Sequence, residues 1–482
     1  MTVVGRDAAA IRAARQAAEP DADLVELRLD AMLRPDPDAA LAGRIKPAIV
    51  TCRPLREGGM FDGSEDERLG ILHRAHELGA EFIDVEWDAD VDPLIRARGG
   101  RGVIVSRHDF SGTPHDVRGI LARLRGKGGE IAKLAVTTER PSELHALLDA
   151  ANGDGSSIVI GMGAAGLATR VLADRFGSRW TYAGPAIAPG QITAARLQHE
   201  FRFRRIRRDA AVYMVIGRPV TGSLSPAMHN AGFAALGLNA AYVPLDTRDL
   251  EGLREFGGAI GLRGASVTIP YKRDVMPLLD DVAPAAAAAG AVNTIAVRDG
   301  GAARPGQAKW VGSNTDADGF LEPLRARVPT LRGLRTVILG AGGAARGVGL
   351  ALRREGASVA IAARRPEAAA TVAGAIGAAS LDWPPPSGSW DVLVNATPVG
   401  SRGVPGTPYT GPFDGTLVYD LVYDPDPTEL MAAAAAGGCT VIGGLAMLVA
   451  QAERQFEIWT GQRPPAGLFE DAVASAIKAR ST

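Results

Sequence analysis

The 482-residue sequence predicts an α/β protein, with an N-terminal (β/α)8 TIM barrel followed by a two-domain part that contains a Rossmann dinucleotide-binding domain. Two observations carry this prediction. Eight short apolar runs alternate with amphipathic stretches up to about residue 190, and a G-x-G-x-x-A motif follows an apolar run near residue 340. The chain is also too long for one ordinary hydrophobic core, so two or three domains are expected.

The composition is that of a globular enzyme, with 46% hydrophobic and 22% charged residues and a formal net charge of -1. This balance argues against a nucleic-acid partner. The two cysteines, Cys52 and Cys439, lie far apart and predict neither a disulfide framework nor a zinc site. No run approaches the ~20 apolar residues that span a bilayer. We therefore expect a cytoplasmic protein without metal, membrane or nucleic-acid partners, and the sequence predicts no particular oligomeric state.

The barrel is predicted from apolar runs that are continuous rather than alternating, as in buried parallel strands joined by crossovers. The eight runs are TVVG, LVELRLD, AIVTCR, FIDVEW, GVIVSRHDF, IAKLAV, SIVIGMG and WTYAG. In such barrels the chemistry gathers at the carboxyl ends of the strands. Seven polar residues lie in or just after these runs: Glu26, Arg28, Asp30, Arg53, Glu86, His108 and Lys133.

Lys133 stands inside an apolar run, where burial is expected to lower its pKa and leave a neutral amine that can form a Schiff base with a carbonyl. His108, at the end of the preceding run, could then remove a proton from the adjacent carbon. Glu86, one run earlier, could orient the imidazole. Each residue alone is compatible with a structural role, but their occurrence on successive strands favours a site.

The motifs LVELRLD, TCRPLREGG, FIDVEW, SRHDF, IAKLAV and APGQI, across residues 24 to 192, resemble type I 3-dehydroquinate dehydratase. The resemblance implies conversion of 3-dehydroquinate to 3-dehydroshikimate. It makes Lys133 the Schiff-base lysine, His108 the general acid/base and Glu86 its orienting carboxylate. Ile187 stands where the family usually has Ser, which predicts weaker substrate binding. The substrate-binding residues implied are Glu26, Arg28, Arg53, Arg170 and Gln191.

An arginine cluster in FRFRRIRR precedes a new apolar strand, AVYMVIG, and marks the boundary between the halves. We interpret the cluster as a solvated linker rather than an anion site. The predicted domains are residues 1–207, residues 212–320 completed by C-terminal helices at 445–482, and residues 321–444.

The last predicted domain carries Gly340, Gly342 and Ala345 as G-x-G-x-x-A, between a strand and a helix, as a dinucleotide fingerprint requires. The next strand ends in Arg364 and Arg365, without the acidic residue that holds the ribose of NAD. The sequence therefore predicts NADP as the cofactor.

Hydride transfer to a carbonyl also needs a proton donor, and Lys272 and Asp316 are the candidates. The motifs GRPVTGSLSPAMHN, GASVTIPYK, GAVNTI, GSNTDADGF, LGAGGAAR, NATPVGS, YDLVYDP and GLAMLVAQA resemble shikimate dehydrogenase, which implies that these two residues are its catalytic pair. Implied substrate-binding residues are Ser223, Ser225, Thr268, Asn293, Tyr423 and Gln451. Candidate cofactor-binding residues are Gly340, Gly342, Gly343, Ala344, Ala345, Arg364, Arg365, Asn395 and Thr397.

Four positions depart from the usual dehydrogenase pattern and affect the expected affinity and substrate range: Gly222, Ser266, Ala363 and Ser401. His229, within the SPxxHN stretch, is interpreted as structural. The leading hypothesis is a bifunctional enzyme that dehydrates 3-dehydroquinate and reduces the product to shikimate with NADPH. Two alternatives remain, namely a non-catalytic sensor of these metabolites and a quinate/shikimate dehydrogenase with relaxed cofactor use.

Overall fold

The computed structural model describes residues 1–151, 153, 155–185, 187–299 and 308–481. The chain divides into two compact units, Met1–Leu278 with Val297–Lys309 and Leu279–Ala296 with Trp310–Thr482. Residues 300–307 of the predicted 212–320 domain lie outside the described residues. The three predicted domain boundaries stay a prediction.

The first part of the first unit is a parallel sheet whose seven strands follow one another in sequence order. The strands are β1 Thr2–Val3, β2 Val25–Arg28, β3 Ala48–Thr51, β4 Phe82–Glu86, β5 Val103–Asp109, β6 Ile131–Thr137 and β7 Ser157–Met162. The eighth predicted strand, WTYAG, does not form a strand. Single backbone hydrogen bonds nevertheless attach this part of the chain to both sheet edges, from Arg179 N to Ser157 O (2.9 Å) and from Thr2 N to Ala183 O (2.8 Å). The curled sheet is thus closed by an irregular segment.

Helices connect these strands, as βα units require: α1 Ala8–Ala18, α2 Pro37–Leu41, α3 Glu65–Glu77, α4 Asp92–Arg98, α5 Val117–Gly126, α6 Pro141–Ala150 and α7 Leu167–Val171. Local sequence sets their starts. The Asp7 carboxylate accepts from the backbone of Ala9 and Ala10 at the start of α1, and Ser64 with Glu67 forms a capping box on α3.

The first unit continues with a second parallel sheet in which β8 lies between β9 and β10. Its elements are β8 Ala211–Gly217, α8 Ser225–Ala235, β9 Ala240–Asp246, α9 Leu253–Ile260 and β10 Leu262–Val267. The arginine cluster between the two sheets is largely exposed, and its Arg204 pairs with Asp23 (3.0 Å).

The following elements are β11 Asp281–Val282, α10 Pro284–Ala289, β12 Thr294–Asp299, β13 Ala308–Ser313 and α11 Asp316–Arg325. The second unit then forms a six-stranded parallel sheet in the order β16-β15-β14-β17-β18-β19. Its strands are β14 Arg335–Leu339, β15 Ser358–Ala362, β16 Ala379–Leu381, β17 Val392–Asn395, β18 Leu417–Asp420 and β19 Thr440–Ile442. Its helices are α12 Gly343–Arg354, α13 Pro366–Ile376, α14 Glu429–Ala436, α15 Gly444–Thr460 and α16 Leu468–Ser481.

This second unit is the predicted Rossmann arrangement, in which β14 lies centrally and α12 follows it directly. Buried side chains of β14, β15 and α12, among them Ile338, Ile361 and Leu352, share one core. Helix α15 packs closely on α11, because Gly319 of α11 brings the two backbones together. In the part of the chain that is described, no helix is long and apolar enough to cross a membrane.

Candidate active sites

The first half contains a cavity at the carboxyl ends of its strands, where parallel strands present their polar residues. Seven of the eight predicted site residues line it: Glu26, Arg28, Arg53, His108, Lys133, Arg170 and Gln191. Ile187 lines it as well, so an apolar side chain stands where a hydroxyl was expected from the family pattern. Glu86 is not among the lining residues.

Lys133 lies on β6 with only 4% of its surface exposed. Its Nζ is 2.8 Å from Asp84 Oδ2 and 3.7 Å from Glu26 Oε1. Burial alone lowers the pKa of Lys133, but the Asp84 carboxylate and its neighbours outweigh burial and raise this pKa above its ordinary value. The expectation of a lowered pKa is therefore wrong for the resting site, where Lys133 is an ammonium that must lose a proton before it can attack.

Asp84 is the carboxylate that sequence reasoning missed beside this lysine. It is fully buried on β4, accepts from Ser106 Oγ (2.6 Å) and pairs with Arg53 Nη2 (3.0 Å). Although burial raises the pKa of Asp84, Arg53 and Lys133 hold it well below its usual range. Asp84 and Glu86 lie two residues apart and so face the same side of the strand. The two acids at alternate positions in FIDVEW were therefore the sequence signal that Asp84 lies on the same face as Glu86.

His108 faces Glu57, not the predicted Glu86. Glu57 Oε2 is 3.0 Å from His108 Nδ1 and accepts from the His108 backbone N–H (3.1 Å). Burial raises the pKa of Glu57 to about 8. Burial, with the cations Arg53 and Lys133 nearby, lowers the pKa of His108 well below its usual value. The imidazole is therefore neutral near pH 7, as a general base must be.

Glu86 holds arginines instead of the histidine. It is fully buried, accepts from Arg53 Nη1 (2.6 Å) and pairs with Arg68.

Glu57 belongs to a short 3-10 helix, Leu55–Glu57, directly after the TCRP segment that carries Arg53. The acid in TCRPLREGG was visible in the sequence, but only the turn that follows β3 brings it to His108.

The other polar groups of the cavity are held by neighbours. Glu26 accepts from Thr2 Oγ1 (2.8 Å), which in turn accepts from Gln191 Nε2 (3.0 Å). Arg28 makes two hydrogen bonds to Asp30, at 2.9 and 2.7 Å.

Arg170 is a buried cation without an acidic partner in hydrogen-bond reach among the described residues. It is 2% exposed, and its Nη1 donates a long hydrogen bond to Tyr182 O (3.5 Å). Its Nε has no hydrogen-bond acceptor in the described part of the chain. Burial lowers the pKa of Arg170 to about 10. A guanidinium in this condition is suited to bind an incoming carboxylate.

In the second half, four predicted residues belong to the first unit. Ser225 opens α8, and its backbone N–H donates to Ser223 Oγ (3.2 Å). Thr268 and Lys272 follow β10, where Thr268 N donates to Ile216 O (2.9 Å). The Ser266 hydroxyl accepts from Tyr242 (2.6 Å).

The second unit brings Asn293 and Asp316 together. Asn293 Nδ2 donates to Asp316 Oδ1 (2.8 Å), and Asn293 Oδ1 accepts from Thr315 N (2.8 Å). Gln455 of α15, which sequence reasoning missed, donates through Nε2 to Asn293 O (3.1 Å). Gln451 is half-buried on the same helix. The pairing of Asp316 with the lysine of the first unit stays a prediction.

Tyr423, also in the second unit, is 41% exposed. Ala363 is buried at the end of β15, and Ser401 Oγ donates to Pro398 O (2.8 Å). Neither the burial of Ala363 nor the hydrogen bond of Ser401 assigns these two residues a ligand-binding role.

The turn between β14 and α12 fits the phosphates of a dinucleotide. Gly340 has a φ of 113°, which favours glycine, and Gly342 caps α12. A Cβ on Gly342 or Gly343 would meet no atom within 4 Å, so the helix N-terminus faces open space. Arg364 and Arg365 are exposed just after β15, where a 2′-phosphate is read in this fold.

Two predicted cofactor residues are engaged with the protein itself. Asn395 is fully buried, and its Nδ2 donates to Asp420 Oδ1 (2.8 Å) and to Val399 O (3.1 Å). Thr397 Oγ1 donates to Asn395 Oδ1 (2.7 Å). Both side chains therefore hold the loop after β17 in the described structure.

Family models match three parts of the chain. Residues 1–208 match type I 3-dehydroquinase, residues 215–295 match the shikimate dehydrogenase substrate binding domain, and residues 444–474 match the shikimate 5′-dehydrogenase C-terminal domain.

The chain is 34% identical to the bifunctional 3-dehydroquinate dehydratase/shikimate dehydrogenase, chloroplastic, of Arabidopsis thaliana, across 94% of this chain and 80% of that protein. It is 41% identical to the shikimate dehydrogenase (NADP(+)) of Citrifermentans bemidjiense, across 55% of this chain and 94% of the relative. A crystal structure of shikimate dehydrogenase in complex with NADP+ matches with a TM-score of 0.52 and 33% identity, over 56% of this chain and 97% of that one. The chain belongs to the family of bifunctional enzymes that join a type I 3-dehydroquinate dehydratase to an NADP-dependent shikimate dehydrogenase.

Proposed function

We propose that Lys133 forms the Schiff base of the dehydratase reaction and that His108, paired with Glu57, moves the proton. The observation that supports this proposal is that Lys133 lines the same cavity as the neutral imidazole of His108 and the guanidinium of Arg170, which has no acidic partner in hydrogen-bond reach among the described residues. The family resemblance implies that Glu26, Arg28, Arg53, Arg170 and Gln191 hold the hydroxyls and the carboxylate of the substrate. Among them, the Arg170 guanidinium, which has no acidic partner in hydrogen-bond reach among the described residues, is the one we assign to the carboxylate.

The steps balance as follows. Lys133 loses one proton, and its amine adds to the ketone of 3-dehydroquinate to give a carbinolamine. The carbinolamine hydroxyl takes up that proton and leaves as water, so a protonated imine forms on Lys133. His108 removes a proton from the adjacent carbon, and the electron pair moves towards the iminium nitrogen to give an enamine. When this pair returns, the β-hydroxyl leaves as water with the proton that His108 holds. Hydrolysis of the imine then releases 3-dehydroshikimate and restores Lys133.

Borohydride reduction tests the Schiff base. Treatment of the protein with substrate and borohydride should add one reduced substrate to Lys133, located by peptide mass spectrometry. A Lys133→Ala variant should carry no adduct, and Lys127→Ala, which removes an exposed lysine, should be trapped like the parent. An adduct on another residue, or none in the parent, would refute the assignment.

For the dehydrogenase half, we propose that Lys272 and Asp316 act on the carbonyl of 3-dehydroshikimate. The α12 N-terminus and Arg364 would hold NADPH, which would supply the hydride. Lys272 then protonates the developing alkoxide, and Asp316 is fixed by the hydrogen bond from Asn293 (2.8 Å).

Asp316→Asn tests this role against a matched control, Asp318→Asn, which removes an exposed carboxylate from the first turn of the same helix. Asp316→Asn should lower kcat for reduction by about 10²-fold or more, because the pair acts in the proton-transfer step. Asp318→Asn should change kcat less than about twofold. Equal effects of the two substitutions would contradict the proposal.

We further propose that residues 1–207 form the dehydratase domain, that residues 212–320 with 445–482 bind shikimate, and that residues 321–444 bind NADP. The three family matches support this division. We also propose a cytoplasmic enzyme that does not bind nucleic acid. The buried, unpaired thiols of Cys52 and Cys439 and the near-zero net charge support that proposal.

A further inference from the structure

Tyr182 places an aromatic ring against the amine of Lys133. The ring centroid lies 4.5 Å from Lys133 Nζ, and the tyrosine is 5% exposed and lines the same cavity. It belongs to the irregular segment that closes the barrel sheet, held there by the hydrogen bond from Thr2 N to Ala183 O. Neither the sequence motifs nor the mechanism above gives this side chain a role.

The ring differs in kind from the other neighbours of Nζ. Asp84 (2.8 Å) and Glu26 (3.7 Å) are carboxylates, which attract the ammonium and can also accept its protons. The face of an aromatic ring attracts a cation through its quadrupole and takes no proton. Burial raises the pKa of Tyr182 to about 12, so the phenol stays neutral at working pH.

We propose that Tyr182 is a further catalytic residue of the dehydratase, whose ring face stabilises the positive charge on Lys133 Nζ through the iminium steps. This inference rests on the proposed Schiff-base role of Lys133. An ammonium offers three N–H donors to the carboxylates, whereas a protonated imine offers one. The attraction to the ring depends on the charge and not on the number of donors, so it persists when the hydrogen bonds are lost.

Two substitutions at Tyr182 separate the ring from the hydroxyl. Tyr182→Leu removes the ring and should lower kcat for dehydration about tenfold, as loss of a desolvated cation–π contact of about 1.4 kcal/mol implies. Tyr182→Phe keeps the ring and should retain at least about fivefold more of kcat than Tyr182→Leu. The rate of adduct formation under borohydride should fall in the same order.

Phe82→Leu is the matched control for lost packing. Phe82 contributes to the same interior cluster, and its ring contacts are with Trp180 (5.0 Å) and Arg179 (5.8 Å). This variant should change kcat less than about twofold, while its thermal midpoint falls about as much as that of Tyr182→Leu.

Three results would overturn the proposal. Equal losses of kcat in Tyr182→Leu and Phe82→Leu would assign the effect to packing. Equal losses in Tyr182→Phe and Tyr182→Leu would assign it to the hydroxyl. Full kcat in Tyr182→Leu would leave the ring without a catalytic effect. If the parent protein gives no adduct on Lys133, the Schiff-base assignment fails instead, and that outcome is visible before any variant is compared.

Discussion

Glu57→Gln keeps the size of the side chain that faces His108 but removes an acid that can give up its proton when His108 becomes charged. The distance from Glu57 Oε2 to His108 Nδ1 is 3.0 Å. Because the pKa of Glu57 is about 8, ionising it at pH 7 costs about 1.4 kcal/mol. At an effective dielectric constant of about 20, the resulting carboxylate stabilises an imidazolium at that distance by about 5 to 6 kcal/mol, so about 4 kcal/mol remains. The polar amide replaces part of this stabilisation. A net loss of about 2.7 kcal/mol would lower kcat about 100-fold.

The assay is dehydration of 3-dehydroquinate with and without deuterium at the carbon that loses the proton. In Glu57→Gln, proton removal becomes slower than the other steps, so the isotope effect on kcat should increase. Borohydride should still trap substrate on Lys133, because imine formation does not depend on His108 removing that proton. Asp66→Asn, an exposed carboxylate on α3, should leave both kcat and the isotope effect unchanged.

An unchanged kcat and isotope effect in Glu57→Gln would refute the reasoning. Glu86→Gln is the second arm, because the sequence assigned the histidine partner to Glu86. Its carboxylate holds Arg53 and Arg68, so this variant should lose stability and substrate affinity without the isotope signature. If Glu86→Gln alone showed the larger isotope effect, the sequence assignment would be correct.

Three further outcomes are expected. In the folded chain Glu57 keeps its proton up to a pKa of about 8, whereas in the unfolded chain its pKa is near 4.5. The free energy of unfolding should therefore fall by up to about 2 kcal/mol between pH 6.5 and 8. The urea midpoint should show this loss, and Glu57→Gln should remove it. In Gly319→Ala, the new Cβ would lie 2.5 Å from a side-chain atom and 2.8 Å from a backbone atom of α15. This overlap should lower the free energy of unfolding by about 1 to 3 kcal/mol and raise KM for shikimate. Gly347→Ala has open space around its new Cβ, so the same unfolding assay should show a gain of about 0.5 to 1 kcal/mol. Arg364→Ala should raise KM for NADPH about tenfold or more, whereas the exposed Arg354→Ala should not, and equal KM values would remove Arg364 from the cofactor site.

The barrel strands could be predicted because each is a short continuous apolar run, and seven of the eight formed. The eighth failed because a ladder needs partners along its length. β1, on one side of the WTYAG segment, is only two residues long. In the described structure, single backbone hydrogen bonds at Arg179 and Ala183 attach this part of the chain to the sheet edges. Sequence periodicity gives no information on the length of a neighbouring strand.

Cavity residues on strands were found because strand position alone directs their side chains. Glu57 was missed because it lies on a turn after β3, and the direction of that turn is a tertiary property. The pKa of Lys133 was misjudged for a related reason. Burial is readable from an apolar run, but the contact with Asp84 joins positions 49 residues apart.

In the dehydrogenase half, the glycine-rich turn could be predicted because strand, turn and helix are adjacent in sequence. The contact between Asn293 and Asp316 joins positions 23 residues apart, and the support from Gln455 comes from 162 residues away. Spacing suggested candidates at these positions, but only packing of α15 shows what holds them.

If one chain performs two consecutive reactions through separate lysines, a coupled assay shows it most directly. Purified protein given 3-dehydroquinate and NADPH should consume the cofactor. Lys133→Ala should abolish consumption from 3-dehydroquinate but retain it from 3-dehydroshikimate, and Lys272→Ala should lower consumption from both. Consumption from 3-dehydroquinate that survives in Lys133→Ala, or none from either substrate in the parent protein, would contradict the claim.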